Sequence, residues 1–184
     1  MTLKFTLDDA QRAGDEWKFN CGPAAICAVL GKTPEEVRPH LGDFERKGYT
    51  NPTLMFAALR SLGATWTPIM KTKTDPRAII GWPRRGLVRV QWQGPWTEPG
   101  VPMRARYRHT HWIGARYVGD RAAQIESLRN GRPPLEIFDI NRMCVGGWVP
   151  FPEWAGQVVP WLLGEAEPKA NGQWHQTHVL ELGG

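Results

Sequence analysis

One uninterrupted apolar segment constrains the fold of this chain more than any other feature. Residues 22–30 read GPAAICAVL and hold no polar side chain at any position of a helical period. A helix that is apolar on all sides has to be buried on all sides. Pro23 suits the first turn of such a helix and Gly31 suits its end. The pattern therefore predicts a central, buried helix around which the remaining chain packs.

Two more helices are predicted in the N-terminal third. The sequence TPEE, which begins at Thr33, is a capping box and predicts a helix to about Leu41. Asn51 and Pro52 repeat such a start, and the apolar spacing after them predicts a helix that Gly63 ends. Residues 1–20 show only a short arm with a strand pattern over 3–7.

Beyond residue 63 the period changes to that of strands. Asp75 begins a short helical stretch to Ile80, residues 94–108 read as a long loop, and a short helix over 153–163 is interrupted by Pro160. The predicted strands are 64–70, 87–92, 111–118, 124–128, 135–140 and 174–180.

Helices followed by strands indicate an α+β fold. The length of 184 residues fits one domain, with 1–63 mainly helical and 64–184 mainly β. Glycine and proline together number 36, which favours many turns over a helical bundle. No run reaches the roughly 18 apolar residues of a membrane helix, and the first residues lack an apolar signal region. We therefore expect a cytoplasmic protein without a membrane partner.

The composition offers little support for bound metals or cofactors. Three cysteines are an odd number and form no CxxC pair, which argues against a disulfide framework. His175 and His178 lie three residues apart, but no cysteine pair or acidic cluster accompanies them. The glycines form neither a dinucleotide fingerprint nor a phosphate loop. We expect no metal and no cofactor.

The residues that carry chemistry lie at the ends of predicted elements. Cys21 immediately precedes the buried helix, whose N-terminus favours a thiolate and offers N–H groups to an oxyanion. His111 opens a strand about ninety positions later, and Asp139 lies near the end of another. A thiol, an imidazole and a carboxylate are the parts of an activated nucleophile. Cys27, inside the apolar helix, is expected to be structural.

Three short motifs resemble those of papain-like cysteine peptidases, and most closely the group that processes double-glycine bacteriocin leaders. NCGPAA around Cys21 resembles the cysteine box, HWIG from His111 resembles the histidine box, and IFD ending at Asp139 resembles the third box. The resemblance spans about residues 15–142. It implies a papain-like fold with a helical cluster packed on an antiparallel sheet. It also implies Cys21 as nucleophile, His111 as base and acid, and Asp139 as orienting residue.

One position departs from the resembled group, which has a glutamine about six residues before the cysteine to complete the oxyanion hole. This chain has Asp15 there, and an anion would repel an oxyanion. Gln11, Asn20 or backbone N–H groups are the alternative donors.

Two of the site assignments have rivals in the sequence. His109 precedes His111 by two positions, and His111 is favoured because the apolar strand follows it directly. Asn141 is the corresponding rival of Asp139.

The net charge of +5 is concentrated in one segment. Residues 84–132 contain ten arginines, no lysine and three acidic residues, a net charge of +7. Arg104, Arg106 and Arg108, together with Trp112, are the candidate substrate-binding residues, and arginine suits carboxylates or phosphates. The expected partner is a peptide or protein that is acidic or glycine-rich at the cleavage site.

The leading hypothesis is a cysteine peptidase that hydrolyses a peptide or isopeptide bond through a thioester. The alternatives are a cell-wall peptide amidase, as in phage lytic enzymes, and a catalytically weak binding module for an acidic protein or nucleic acid. Nucleic acid is the less favoured partner because no recognised motif is present. The terminal Gly183 and Gly184 are a chance flexible end, the product of cleavage of a longer precursor, or a mimic that occupies the chain's own cleft.

Overall fold

The computed structural model describes residues 2–69, 81–119, 134–166 and 169–183. The predicted helix after Asp75 and the predicted strand 124–128 lie outside these ranges. Within them the chain is an α+β protein with an antiparallel sheet, as predicted. The helices are α1 (Leu7–Trp17), α2 (Cys21–Leu30), α3 (Pro34–Val37), α4 (Phe44–Lys47), α5 (Pro52–Ser61), α6 (Met103–Arg106), α7 (Phe151–Glu153) and α8 (Val159–Trp161).

The prediction of an N-terminal arm with a strand at 3–7 is wrong. Thr6 caps α1, because its hydroxyl accepts a hydrogen bond from the Asp9 N–H while the Asp9 carboxylate accepts one from the Thr6 N–H. Ala13 and Trp17 then bury one face of the helix. This capping box outweighs the weak strand pattern.

The central helix α2 is confirmed. Asn20 caps it by accepting a hydrogen bond from the Gly22 N–H, and Gly31 ends it in the left-handed conformation at φ 62°. Residues 22–29 are all buried. The predicted starts at Thr33 and Asn51 are confirmed by their side-chain caps, although α3 changes to a 3₁₀ turn after Val37.

In the described part of the chain six strands form one sheet in the order β1-β6-β2-β3-β4-β5, and each neighbouring pair is antiparallel. The short strand β5 was not predicted, and the predicted loop 94–108 contains a 3₁₀ turn and α6. The strands are β1 (Trp66–Pro68), β2 (Arg85–Trp92), β3 (Thr110–Tyr117), β4 (Leu135–Phe138), β5 (Trp148–Pro150) and β6 (Trp174–Leu182).

Helices cover both faces of this sheet. Leu87 packs toward the helical cluster around α2, whereas Val88 and Val90 belong to a second core on the opposite face. That second face is covered by a helical stretch in which α7 and α8 alternate with π-helical turns at Trp154–Val158 and Leu162–Ala166. The helix continues through Pro160, so the predicted interruption is wrong.

The position of α2 against the sheet creates an opening. Strand β4 pairs with β3 only from Gly114 to Tyr117, although β3 begins at Thr110. Helix α2 packs closely over β3, since a Cβ on Gly114 would lie 2.9 Å from Val29 Cγ1. The first residues of β3 therefore have an uncovered edge beside the N-terminus of α2. No helix in the described ranges has the length and apolar character required to cross a membrane.

Candidate active site

Cys21 is the first residue of α2, and its partly buried thiol interacts with the ring of His111. The Asn20 cap fixes this helix start, because the Asn20 amide also donates a hydrogen bond to the Gly48 carbonyl at 2.9 Å. The thiol thus lies where the backbone N–H groups of a helix point outward.

The open edge of β3 explains how a backbone N–H of this strand comes to face the Cys21 thiol. The N–H groups of successive residues in a strand point to opposite sides. The His109 carbonyl accepts a hydrogen bond from the Trp92 N–H, and the Tyr117 N–H donates one to the Arg84 carbonyl. Odd-numbered backbone groups of β3 therefore point toward β2, and the even-numbered N–H groups point away from it. The N–H of Trp112 is one of them, and it faces the Cys21 sulfur, where it helps to lower the pKa of the thiol.

His111 connects the thiol to a carboxylate. Its Nε2 lies 3.1 Å from Asp139 Oδ1, an ion-pair distance, although the ring N–H is not aligned for a hydrogen bond. Asp139 directly follows β4, whose last residue, Phe138, pairs with Gly114 of β3. Because Nε2 faces the carboxylate, Nδ1 is the ring nitrogen that can exchange a proton with the thiol.

Two further side chains hold the Asp139 carboxylate. Asn141 donates to Oδ1 from its backbone N–H at 3.0 Å and from Nδ2 at 2.9 Å, and Trp154 Nε1 donates to Oδ2 at 2.9 Å. Burial alone would raise the pKa of Asp139, but the charge of His111 and these donors lower it to about 2. Asn141, the sequence rival of Asp139, thus lies behind it as a positioning residue.

The electrostatics favour a thiolate–imidazolium pair. Burial acts to raise the pKa of the Cys21 thiol, but the charge of His111 and the Trp112 N–H outweigh it, so the pKa is lowered. Burial acts to lower the pKa of His111, but Asp139 and Cys21 raise it well above the ordinary value. Both shifts favour the charged forms, so the site stabilises the thiolate–imidazolium pair relative to the neutral pair.

The thiol opens into a cleft of about 890 Å³. Exposed rings of Tyr49 and Tyr107 line it, and the buried Trp112 forms part of its floor. Trp112 is fixed there because its Nε1 donates to the Thr50 carbonyl at 2.8 Å. A cleft of this volume with aromatic walls lies within the usual range of ligand-binding sites.

Arg89 on β2 also lines this cleft, and the sequence interpretation did not single it out. Its side chain is buried, with 4% of the residue exposed. Burial lowers the pKa of its guanidinium, which Cys21 and Tyr107 partly offset. An arginine within the apolar run LVRVQW is the sequence signal that could have identified it.

His109, the alternative to His111, lines the cleft, whereas Arg106 and Arg108 do not. His109 stacks on Trp96 with ring centroids 4.0 Å apart, and His111 is the histidine beside Asp139. Arg106 Nε donates to the Val101 carbonyl. The side chain of Arg104 lies outside the described part of the chain.

The two predicted oxyanion donors have different positions. Gln11 and Asp15 are exposed on α1 and are not among the residues that line the cleft. Asn20 does line it, and its amide has a second N–H besides the one bonded to Gly48. The N–H of Cys21 itself is the other donor, because the first residue of a helix has no acceptor within that helix.

Of the remaining predicted features, His178 lines the cleft, whereas Gly183 lies apart from it. Gly183 donates to the Thr65 carbonyl and accepts from Arg85, at the far end of β2 from Val90, which pairs with His111. It therefore does not occupy the cleft, and Gly184 lies outside the described residues. The described residues contain no group of three or more histidine, cysteine, aspartate or glutamate side chains placed to hold a metal ion.

Comparison of the chain with protein-family models, with curated proteins and with solved structures gives no match. The geometry of the site is thus the evidence for its chemistry. It places Cys21, His111 and Asp139 in one contiguous chain of contacts at the end of a cleft.

Proposed function

We propose that the protein is a cysteine peptidase of papain-like fold that hydrolyses a peptide or isopeptide bond. The observation that carries the proposal is the contact chain from the Cys21 thiol through His111 to the buried Asp139 carboxylate. An amide is a poor electrophile with a poor leaving group, so its cleavage needs both a strong nucleophile and a proton donor. A thiolate–imidazolium pair provides both.

Acylation begins when the Cys21 thiolate attacks the carbonyl carbon of the substrate. The carbonyl oxygen becomes an oxyanion, which the Cys21 N–H and the second Asn20 amide hydrogen are positioned to stabilise. His111 then gives its proton to the leaving nitrogen. The C–N bond breaks, an amine departs, and a thioester remains on Cys21.

Deacylation uses the same imidazole as a base. Neutral His111 accepts a proton from water, and the resulting hydroxide attacks the thioester carbon. The C–S bond breaks, the carboxylic acid leaves, and the proton on His111 restores the charged pair with the thiolate. Asp139 stabilises the imidazolium and fixes its ring orientation throughout.

The test is the alkylation rate of individual cysteines with iodoacetamide at pH 6.5, followed by peptide mass spectrometry. We expect Cys21 to react faster than the exposed Cys144, because the Cys21 pKa is lowered by His111. Cys27 should react slowest, because burial raises the pKa of its thiol. His111→Gln should slow Cys21 at least tenfold, since a change of one pKa unit is tenfold in thiolate population.

His109→Gln is the matched control, because it removes a histidine two positions away without touching Asp139. Its Cys21 rate should stay within about twofold of the original. If Cys21 reacts no faster than Cys144, or if both histidine variants behave alike, the proposal is wrong and a binding module becomes the better interpretation. Loss of turbidity from purified cell wall would instead identify the amidase alternative.

A further inference from the structure

Arg89 is a buried cation on the floor of the cleft. Among the described residues no carboxylate forms an ion pair with it, and its Nη2 donates to the neutral Thr110 hydroxyl at 2.9 Å. The Nε of Arg89 is buried and has no hydrogen-bond partner within the part of the chain that the structure describes. Removing a charge from water without a partner is costly, so a buried arginine normally has an anion beside it.

The location of Arg89 shows where that anion would lie. Arg89 and Leu87 share the sheet face that packs toward α2, and Arg89 lines the same cleft as Cys21 and Trp112. The strand β2 pairs with β3 at Arg89↔Trp112, one residue from His111. A group bound to Arg89 is therefore next to the atoms that would react.

We infer that Arg89 is a specificity-determining residue that binds a substrate carboxylate beside the scissile bond. This inference rests on the proposed function. A planar guanidinium with an unused Nε suits a carboxylate because the two groups can form parallel hydrogen bonds. The carboxylate is either the free C-terminus of a peptide or the side chain of an aspartate or glutamate next to the cleaved bond.

A competing role for Arg89 is to balance the charge of the site itself. With a thiolate, an imidazolium and an ionised Asp139, the three groups carry a net charge of −1, which Arg89 would neutralise. That role predicts a lower thiolate population without Arg89, whatever reagent is used. Substrate binding predicts a loss that depends on the charge of the reagent.

Iodoacetate and iodoacetamide separate these roles, because they deliver the same alkyl group to the thiolate and differ in carrying a carboxylate or an amide. The ratio of the iodoacetate rate to the iodoacetamide rate should be higher at Cys21 than at Cys144. Arg89→Gln should lower that ratio at Cys21 about tenfold, as expected for a hydrogen bond between charged groups. Arg89→Lys should retain part of the ratio because it keeps the charge.

Arg85→Gln is the matched control. It makes the same charge change on the same strand, about 13 Å from Arg89 at the usual rise per residue. In this variant the ratio of the iodoacetate rate to the iodoacetamide rate at Cys21 should remain unchanged. An equal loss of both rates in Arg89→Gln, or an unchanged ratio, would overturn the inference. Failure of both reagents to label Cys21 in the unmodified protein would instead defeat the proposed function, and this inference with it.

A measurement on the unmodified protein covers the case in which Arg89 variants do not fold. Sodium acetate should protect Cys21 from iodoacetamide more than sodium chloride at the same ionic strength, and equal protection would overturn the inference.

Digestion of a peptide pool then distinguishes the two carboxylate sources. If Arg89 binds the free C-terminus of the substrate, amidation of C-termini abolishes cleavage. If Arg89 binds an aspartate or glutamate side chain, replacement of Asp and Glu by Asn and Gln abolishes cleavage. Cleavage insensitive to both changes would contradict the inference.

Discussion

The close approach of Gly22 to Thr50 gives a sharp test of how the active-site helix is positioned. Gly22 is the second residue of α2, beside Cys21, and a Cβ built on it would lie 2.2 Å from Thr50 Oγ1 and 2.5 Å from Thr50 Cβ. Glycine to alanine in a helix normally stabilises by roughly 1 kcal/mol. At position 22 we expect the same substitution to destabilise the protein.

The magnitude follows from how little room Thr50 has to move. Its residue is only 7% exposed, and its carbonyl is held by the Trp112 indole at 2.8 Å. Overpacking in such a place costs about 1–3 kcal/mol, which exceeds the helix-propensity gain. Net of the helix-propensity gain of roughly 1 kcal/mol, Gly22→Ala should lower the free energy of unfolding by up to about 2 kcal/mol. It should also slow iodoacetamide labelling of Cys21, because the helix start has to shift relative to His111.

Urea unfolding of four variants provides the assay. Gly14→Ala in α1 is the control, because the nearest atom to its added Cβ is Phe19 O at 3.7 Å, and it should be neutral or stabilising. Thr50→Gly removes both clashing atoms, so the double variant should recover at least about 1 kcal/mol relative to additivity. This packing argument is refuted if the Gly22→Ala protein is as stable as the Gly14→Ala protein. It is also refuted if the effects of Gly22→Ala and Thr50→Gly on the free energy of unfolding are additive in the double variant.

Further predictions concern the carboxylate of the site. The lowered pKa of Asp139, about 2 against 3.8, corresponds to roughly 2.5 kcal/mol of stability, present above pH 3.8 and lost as the pH falls through 2. Urea titrations from pH 6 to pH 2 should show this component in the original protein, and its persistence in Asp139→Asn would contradict the assignment. Trp154→Phe should raise the pKa of Asp139 and slow Cys21 alkylation, because it removes the donor to Oδ2. Trp174→Phe, in the same aromatic cluster, should leave the alkylation rate unchanged, and equal slowing by both variants would show that ring packing matters instead of the hydrogen bond.

Local sequence signals were sufficient wherever one short segment decides the structure. The caps at Thr33 and Asn51 are both formed as predicted, because each needs only its own neighbours along the chain. Helix α1 was missed although Thr6 and Asp9 form the same kind of box. Its buried face consists of small or widely spaced side chains, so the helical period was weak over that segment.

The missed parts of the site are those that depend on the sheet. Asn141 and Trp154 both donate hydrogen bonds to Asp139. Trp154 lies in the helical stretch on the face of the sheet opposite to α2. The Trp112 N–H faces Cys21 only because β4 stops before covering the start of β3. Neither relation has a fixed spacing in the sequence, so no motif could have shown it.

The distribution of charge illustrates why burial outweighs the number of arginines. At a separation of 4 Å, two unit charges interact by about 1 kcal/mol in water and by about 4 kcal/mol at an effective dielectric constant of 20. Arg106 and Arg108 are exposed, so solvent and salt screen them, whereas Arg89 is buried beside the thiol. A carboxylate entering the cleft would therefore gain more from this one arginine than from either exposed one. The net charge of the segment 84–132 predicts attraction to acidic partners, but Arg89 determines where on such a partner the carboxylate has to be.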